Sequence, residues 1–203
     1  MLDKVSISSK FIARPLSKSG EADLLSASDR LDMLDLIHTF GWCIDSQAYD
    51  VLATIVTEDF VHDHVLGVAD GRDEFLQSLK NEKSFVGLRH ENSNALFRSV
   101  DLSNAIAVTY LTLVRVHASG AGVTDSTGVS PAAGGQGGDG FPEIVAHGIC
   151  TDYMKKEKDL WKLDKRVVDQ MSVSQKFADK NSRDKFALTA KERHGAVSSS
   201  PRR

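Results

Sequence analysis

Histidine titrates nearer neutrality than any other unperturbed side chain, so it is the first place to look for proton transfer. The chain has seven histidines. One of them opens the stretch Arg89-His90-Glu91-Asn92-Ser93-Asn94, in which His90, Asn92 and Asn94 share one face of an expected strand. Three polar groups on one face, with apolar Leu96 beyond, make either a solvent face or a polar patch inside a pocket. An aspartate beside such a histidine would fix its tautomer and stabilise the imidazolium formed when it takes a proton. Asp45 is the candidate partner. It ends a helical run, where the macrodipole disfavours a negative charge, so either solvent or a partner must offset the cost. His62 and His64 share another strand face, and a His-x-His pair can ligate a metal, but no third ligand stands at a recognisable spacing. The two cysteines, Cys43 and Cys150, sit in apolar company with no CxxC motif and read as buried free thiols in a reducing, intracellular setting. No Gly-x-Ser-x-Gly elbow occurs, so nucleophilic catalysis has no support.

The elements that must position these groups follow from periodicity. Ser26 and Ser28 offer N-caps to an amphipathic helix over 28–45, with Leu31, Leu34, Ile37, Phe40, Gly41 and Ile44 at spacings of three and four. A shorter helix is expected over 48–56 and a short strand over 60–65. Asp70-Gly71-Arg72-Asp73 turns into a third helix, roughly 71–82, with Phe75, Leu76 and Leu79 on its apolar face. The period then changes to two, giving strands over 90–98, 105–117, 144–155 and 161–171. Helices followed by a run of long antiparallel strands mean α+β. A strongly curved sheet closed by the three helices makes a cone with an apolar interior and a mouth, which suits a small molecule.

With 203 residues, 41% hydrophobic and 26% charged, the chain has an ordinary globular composition, and no apolar run is long enough to span a bilayer as a helix. Residues 176–203 carry eight Lys/Arg against three Asp/Glu, leaving 17 against 25 in residues 1–175. The acidic body leaves no electrostatic footprint for nucleic acid, and the basic 176–203 reads as a solvated, disordered tail. Residues 1–25 read as a polar arm. Of the 22 residues over 119–140, eight are glycine, which makes that segment a flexible insertion rather than a phosphate-binding loop. The domain proper is then 26–175. The N-terminus has no apolar secretory core, and a cytoplasmic location is expected.

An ordered set of short motifs resembles the SnoaL-like proteins of the nuclear transport factor 2-like superfamily. The set is Phe40-Gly41-Trp42-Cys43-Ile44-Asp45, Tyr49-Asp50-Val51-Leu52, Thr57-Glu58-Asp59-Phe60, Gly71 to Leu76, Arg89-His90 with Asn94, Tyr110, Gly148 with Asp152-Tyr153, and Trp161 with Arg166. It covers roughly 28–172 and is most similar to the branch of scytalone dehydratase, bile-acid dehydratase and hexachlorocyclohexane dehydrochlorinase. The resemblance implies the same cone-shaped barrel and a dyad of His90 and Asp45 that abstracts a proton as a leaving group departs. It implies no cofactor. Phe40, Trp42, Tyr49, Asn94, Tyr110 and Arg166 are the expected substrate contacts. Two departures stand out: the tyrosine that assists the dehydratases is matched by Phe40, and Val114 stands where a second acid can occur. The expected activity is that of a lyase or isomerase on a small, largely apolar carbonyl compound, polyketide- or terpenoid-like. The alternative is a non-catalytic ligand-binding or interaction module on the same fold. Apolar residues on both parities of the long strands, and the branch resembled, imply a homo-oligomer, trimer rather than dimer.

Overall fold

The computed structural model describes residues 24–81, 87–116, 142–174 and 180–198. Of the arm expected over 1–25, residues 1–23 lie outside the described residues, as does the glycine-rich insertion over 119–140, while Leu25 is buried in the core rather than part of a polar arm. Helix α1 (Ala27–Asp45) starts at a capping box in which the Ser26 hydroxyl accepts from the Asp29 backbone N–H and the Asp29 carboxylate accepts from the Ser26 N–H. Asp29 also accepts from Lys156 Nζ at 2.7 Å and Trp161 Nε1 at 2.8 Å, which ties the helix start to the hairpin of the last two strands. Lys156 above all, with Ser26 and Trp161, holds the Asp29 carboxyl well below the usual carboxylate range. Helix α2 (Tyr49–Ile55) runs directly into strand β1 (Val56–His64). Strand β2 (Gly67–Asp70) returns as a hairpin, and helix α3 (Arg72–Asn81) packs back against β1 and β2. There follow β3 (Leu88–Ser99), β4 (Asn104–Arg115), β5 (Glu143–Glu157) and β6 (Leu160–Val173).

The fold is α+β, as expected, with one curved, unclosed sheet in the order β2-β1-β6-β5-β4-β3. The sheet is mixed rather than antiparallel. Strands β3 to β6 meander, and β1 joins β6 from the other side, running parallel to it. The apolar face expected of α1 holds over its second half, where Ile37, Phe40, Gly41 and Ile44 are buried, but at its start Leu31 is exposed and Leu34 half-buried, and Met33 and Leu36 take the inward positions instead. Phe40, Phe60 and Phe75 meet with ring centroids 5.1–6.0 Å apart, joining α1, β1 and α3. Burying a side chain of this size is worth about 1.5–3 kcal/mol. A second apolar cluster, containing Leu88, Leu111, Leu113, Val168 and Met171, lies along the central strands. Among the described residues no helix is long and apolar enough to cross a membrane.

The segment expected to be a disordered basic tail is, over 180–198, two short helices: α4 (Lys180–Phe186) and α5 (Ala190–Ser198). The correction has a physical reason. Phe186 is buried in the second apolar cluster, and Arg193 reaches two carboxylates of the body, Asp63 at 3.0 Å and Asp169 at 3.1 Å. Thr189 and Glu192 cap α5 with reciprocal side-chain hydrogen bonds. The positive charge that reads as solvated is therefore in part the complement of an acidic body.

Candidate functional site

A cavity of about 270 Å³ lies on the seam between the two apolar clusters. Phe40, Ile44, Phe75 and Leu79 line it from the helical side, and Leu111, Leu113, Cys150, Val168 and Met171 from the sheet. Leu66 and Val68, on the β1–β2 hairpin, both line the cavity and are exposed, so they mark its rim. Six polar side chains break the apolar wall: His62, His64, His90 and Arg166, with Glu74 and Ser78.

Asp45 stands behind His90. Its Oδ1 lies 2.6 Å from His90 Nδ1, and its Oδ2 accepts the His90 backbone N–H at 3.0 Å. The side chains are 7% and 11% exposed, respectively. One carboxylate thus grips both the ring and the backbone of the same residue, which sets the imidazole's direction. An imidazole that donates from Nδ1 to a carboxylate has, in its neutral form, its accepting nitrogen at Nε2. The charge at the end of α1, unfavourable for the helix dipole, is offset by these two donors. Gly41 makes the approach possible: a Cβ there would sit 3.2 Å from His90 O and 3.4 Å from His90 Cβ. Helix α1 can therefore lie on β3 close enough for a side chain as short as aspartate to reach across.

Arg166 and Asp152 form a bidentate pair at 2.6 and 2.8 Å, both fully or almost fully buried. The guanidinium carbon lies 4.0 Å over the Phe40 ring centroid. Burial opposes the charge, but the Asp152 carboxylate outweighs it and holds the Arg166 pKa above its ordinary value. The charge is neutralised within the wall. His62 and His64 stack with their rings 5.8 Å apart and 7° from parallel. Burial, reinforced by repulsion from neighbouring positive groups, pushes His62 well below its usual range and His64 down to about 4, so both are neutral at pH 7. Burial pushes the Cys150 thiol up to about 12, which removes it as a nucleophile. Among the described residues no cluster of three or more His, Cys, Asp or Glu is arranged to hold a metal ion.

Residues 26–167 match the model of the SnoaL-like domain. The chain belongs to the SnoaL-like family. Solved structures agree on the fold. A protein of unknown function with a cystatin-like fold from Nostoc punctiforme is 20% identical, with a TM-score of 0.56 over 71% of this chain and 92% of that one. A putative scytalone dehydratase from Novosphingobium aromaticivorans is 18% identical, with a TM-score of 0.53 over 72% and 88%. ActVI-ORFA from Streptomyces coelicolor is 17% identical, with a TM-score of 0.53 over 70% and 96%. No curated protein matches the sequence significantly.

Within this SnoaL-like frame the expected site residues divide. His90, Phe40 and Arg166 are at the cavity, with Asp45 directly behind His90. Trp42 is not; it lies on the outer side of α1 and is 69% exposed. The ring of Tyr49 packs into the helical cluster, with its hydroxyl near the Leu79 carbonyl at 3.4 Å, outside the cavity lining. Asn94 is exposed because β3 bulges between Ser93 and Leu96, with Asn94 at φ 53°, and the bulge breaks the alternation that would have kept it in line with His90. Tyr110 has the opposite parity to Leu111 and Leu113 and stands on the outer face against His147. Two contributors were missed as site residues. The His62–His64 pair shares its parity with buried Phe60, a signal that places both rings inward. Phe186 comes from beyond the matched SnoaL-like segment, and no spacing in the sequence links it to the cavity.

Proposed function

We propose that this SnoaL-like protein is a lyase or isomerase of dehydratase type, acting on a small, uncharged, largely apolar carbonyl compound such as a polyketide- or terpenoid-like metabolite. The observation that carries the reading is the grip of Asp45 on both nitrogens of His90, Nδ1 and backbone, beside an apolar cavity. His90 Nε2 takes a proton from carbon next to the substrate carbonyl. The C–H electrons move into the carbonyl, whose oxygen becomes an enolate, and the imidazolium formed is stabilised by Asp45. The enolate then expels a hydroxyl from the carbon beyond, which takes the proton and leaves as water, or takes the proton back at a different carbon, which shifts a double bond and gives an isomer. The chain's own residues suffice for this sequence without a cofactor. An uncharged resting base suits a wall that raises the cost of free charge.

A second reading, ligand binding without turnover, is favoured by one observation: Phe40 has no hydroxyl, and its faces are taken by Arg166 and Phe75. Exchange of the α-protons of 1-tetralone and 3-hydroxy-1-tetralone in D₂O, followed by proton NMR, separates the two. Catalysis predicts exchange or dehydration that is lost in His90→Ala. Binding of either ketone with no acceleration would leave the binding reading in its place. We also propose self-association through the outer sheet face, where Leu96, Tyr110, Ile144 and Tyr153 are exposed, as a trimer rather than a dimer. A 22 kDa species in sedimentation at micromolar concentration would contradict it.

A further inference from the structure

His62 and His64 do not belong to the dyad, yet they present polar atoms to the same cavity. The backbone N–H of Leu66 donates to His64 Nδ1 at 3.1 Å. A neutral imidazole accepting at Nδ1 carries its one proton on Nε2, so His64 shows the cavity a donor. Among the described residues His64 Nε2 has no hydrogen-bond partner, and neither has either ring nitrogen of His62. None of these atoms is sealed in protein as an unsatisfied buried group. Polar side chains lining a cavity without protein partners are paired with water or with a ligand. The surroundings narrow the ligand. The two rings are nearly parallel, Phe75 lies 4.8 Å from His62, and Phe186 lies edge-on 6.0 Å from His64. The one buried cation at the wall is already neutralised by Asp152. The carboxylate in the lining, Glu74, is exposed and accepts the Asp70 backbone N–H, so the buried walls reward no charged ligand, whereas a flat, uncharged ring system with one oxygen acceptor matches both the walls and the donor.

We propose that His62 and His64 form a second polar station of the cavity, at which His64 Nε2–H donates to the carbonyl oxygen of an uncharged, planar, ring-containing substrate. The station supplies the hydrogen bond that Phe40 cannot. It deepens the reading above, on which it rests for the reaction that follows binding. When His90 removes a proton, the negative charge gathers on this oxygen, so the donor is worth more in the transition state than in the ground state.

The test uses the full chain and two probes of one shape, 1-tetralone and the hydrocarbon tetralin. With ¹⁵N-labelled histidine at pH 7, His64 is expected as the Nε2–H tautomer, and 1-tetralone should shift its Nε2 resonance while tetralin leaves it in place. The ketone should bind about tenfold more tightly than the hydrocarbon, the scale of one net hydrogen bond. In His64→Phe that preference should fall to about one, with tetralin binding retained, and in His64→Gln, whose amide keeps a donor, much of it should return. A protonated or Nδ1–H His64, equal binding of the two probes by the wild-type chain, a preference that survives in His64→Phe, or no binding of either bicycle at millimolar concentration would each overturn the proposal. Failure of catalysis alone reads differently. A His64-dependent ketone preference without His90-dependent α-proton exchange leaves the station standing and removes the lyase reading.

Discussion

Two His–Asp pairs among the described residues are of similar length and very different standing. His90 and Asp45 meet at 2.6 Å, His194 and Asp63 at 2.9 Å, and in each case the carboxylate is at least nine-tenths buried. In the first pair Asp45 faces His90 with both oxygens, and the ring lines a cavity. In the second, Asp63 also holds Arg193, and His194 is 55% exposed. Burial pushes the Asp63 carboxyl up, but His194 and Arg193 outweigh it and hold it below the usual range. A permanently charged guanidinium on the same carboxylate leaves it less able to stabilise an imidazolium. A histidine with an aspartate is therefore not in itself a catalytic dyad. What distinguishes the two is whether another cation competes for the carboxylate and what the far side of the ring faces.

Breaking the pairs in turn tests the distinction. The largest effect is expected at His90. His90→Ala should lower turnover of a verified substrate by about 10²–10⁴-fold, while His194→Ala leaves turnover within twofold; steady-state rates on both variants decide it. Asp45→Asn should cut the rate and spare binding of the probe ketone, because its contribution is to the charged transition state. Next comes Arg193→Ala, which strips a shared cation from Asp63 and Asp169 and should cost about 3 kcal/mol in denaturant unfolding. Amide exchange over 180–198 should accelerate in that variant, and unchanged protection there would show that the helices are held by packing alone.

A pH series sharpens the comparison further. Both His62 and His64 have folded pKa values below the ordinary histidine value, so the unfolded chain takes protons first as pH falls. Their contribution to stability is complete above about pH 6.5 and is lost as pH falls toward 4, where His64 itself titrates in the folded state. Urea midpoints between pH 7 and 5 should fall, and less steeply in a His62→Phe, His64→Phe double variant. The smallest expected change is Gly41→Ala. Its Cβ would meet His90 O at 3.2 Å, a crowding of a few tenths of an ångström that should cost about 1 kcal/mol and lower turnover by displacing His90 from Asp45.

How much of this was legible in the sequence depended on whether the cause was local. Helix α1 and its end at Asp45 were written in apolar spacing and a serine cap, and the awkward charge at that end pointed to a partner. The partner lies 45 residues away, and the expected meeting with His90 is found. Asn94 was misplaced because a bulge changes parity midway along β3, and a bulge leaves no mark in a two-residue alternation. Trp42 was misplaced because motif order carries no helical phase: Phe40 and Ile44, four residues apart, face inward, and Trp42 between them faces out. The basic segment failed for a third reason. Its net charge was visible, but Arg193 finds its counter-charges on β1 and β6, and composition holds no information on that complementarity.

The placement of Phe186 also bears on the order in which the site is made. During synthesis Asp45 and His90 leave the ribosome early, and the strands that fix them follow. Phe186 emerges only after β6, so the nascent chain can bring His90 and Asp45 together while one wall of the cavity is still missing. Until α4 and α5 settle, the apolar seam between the two clusters is open to solvent and to other chains. The interval between the last strand and the last helix is therefore one in which a sheet already paired still shows an uncovered apolar seam.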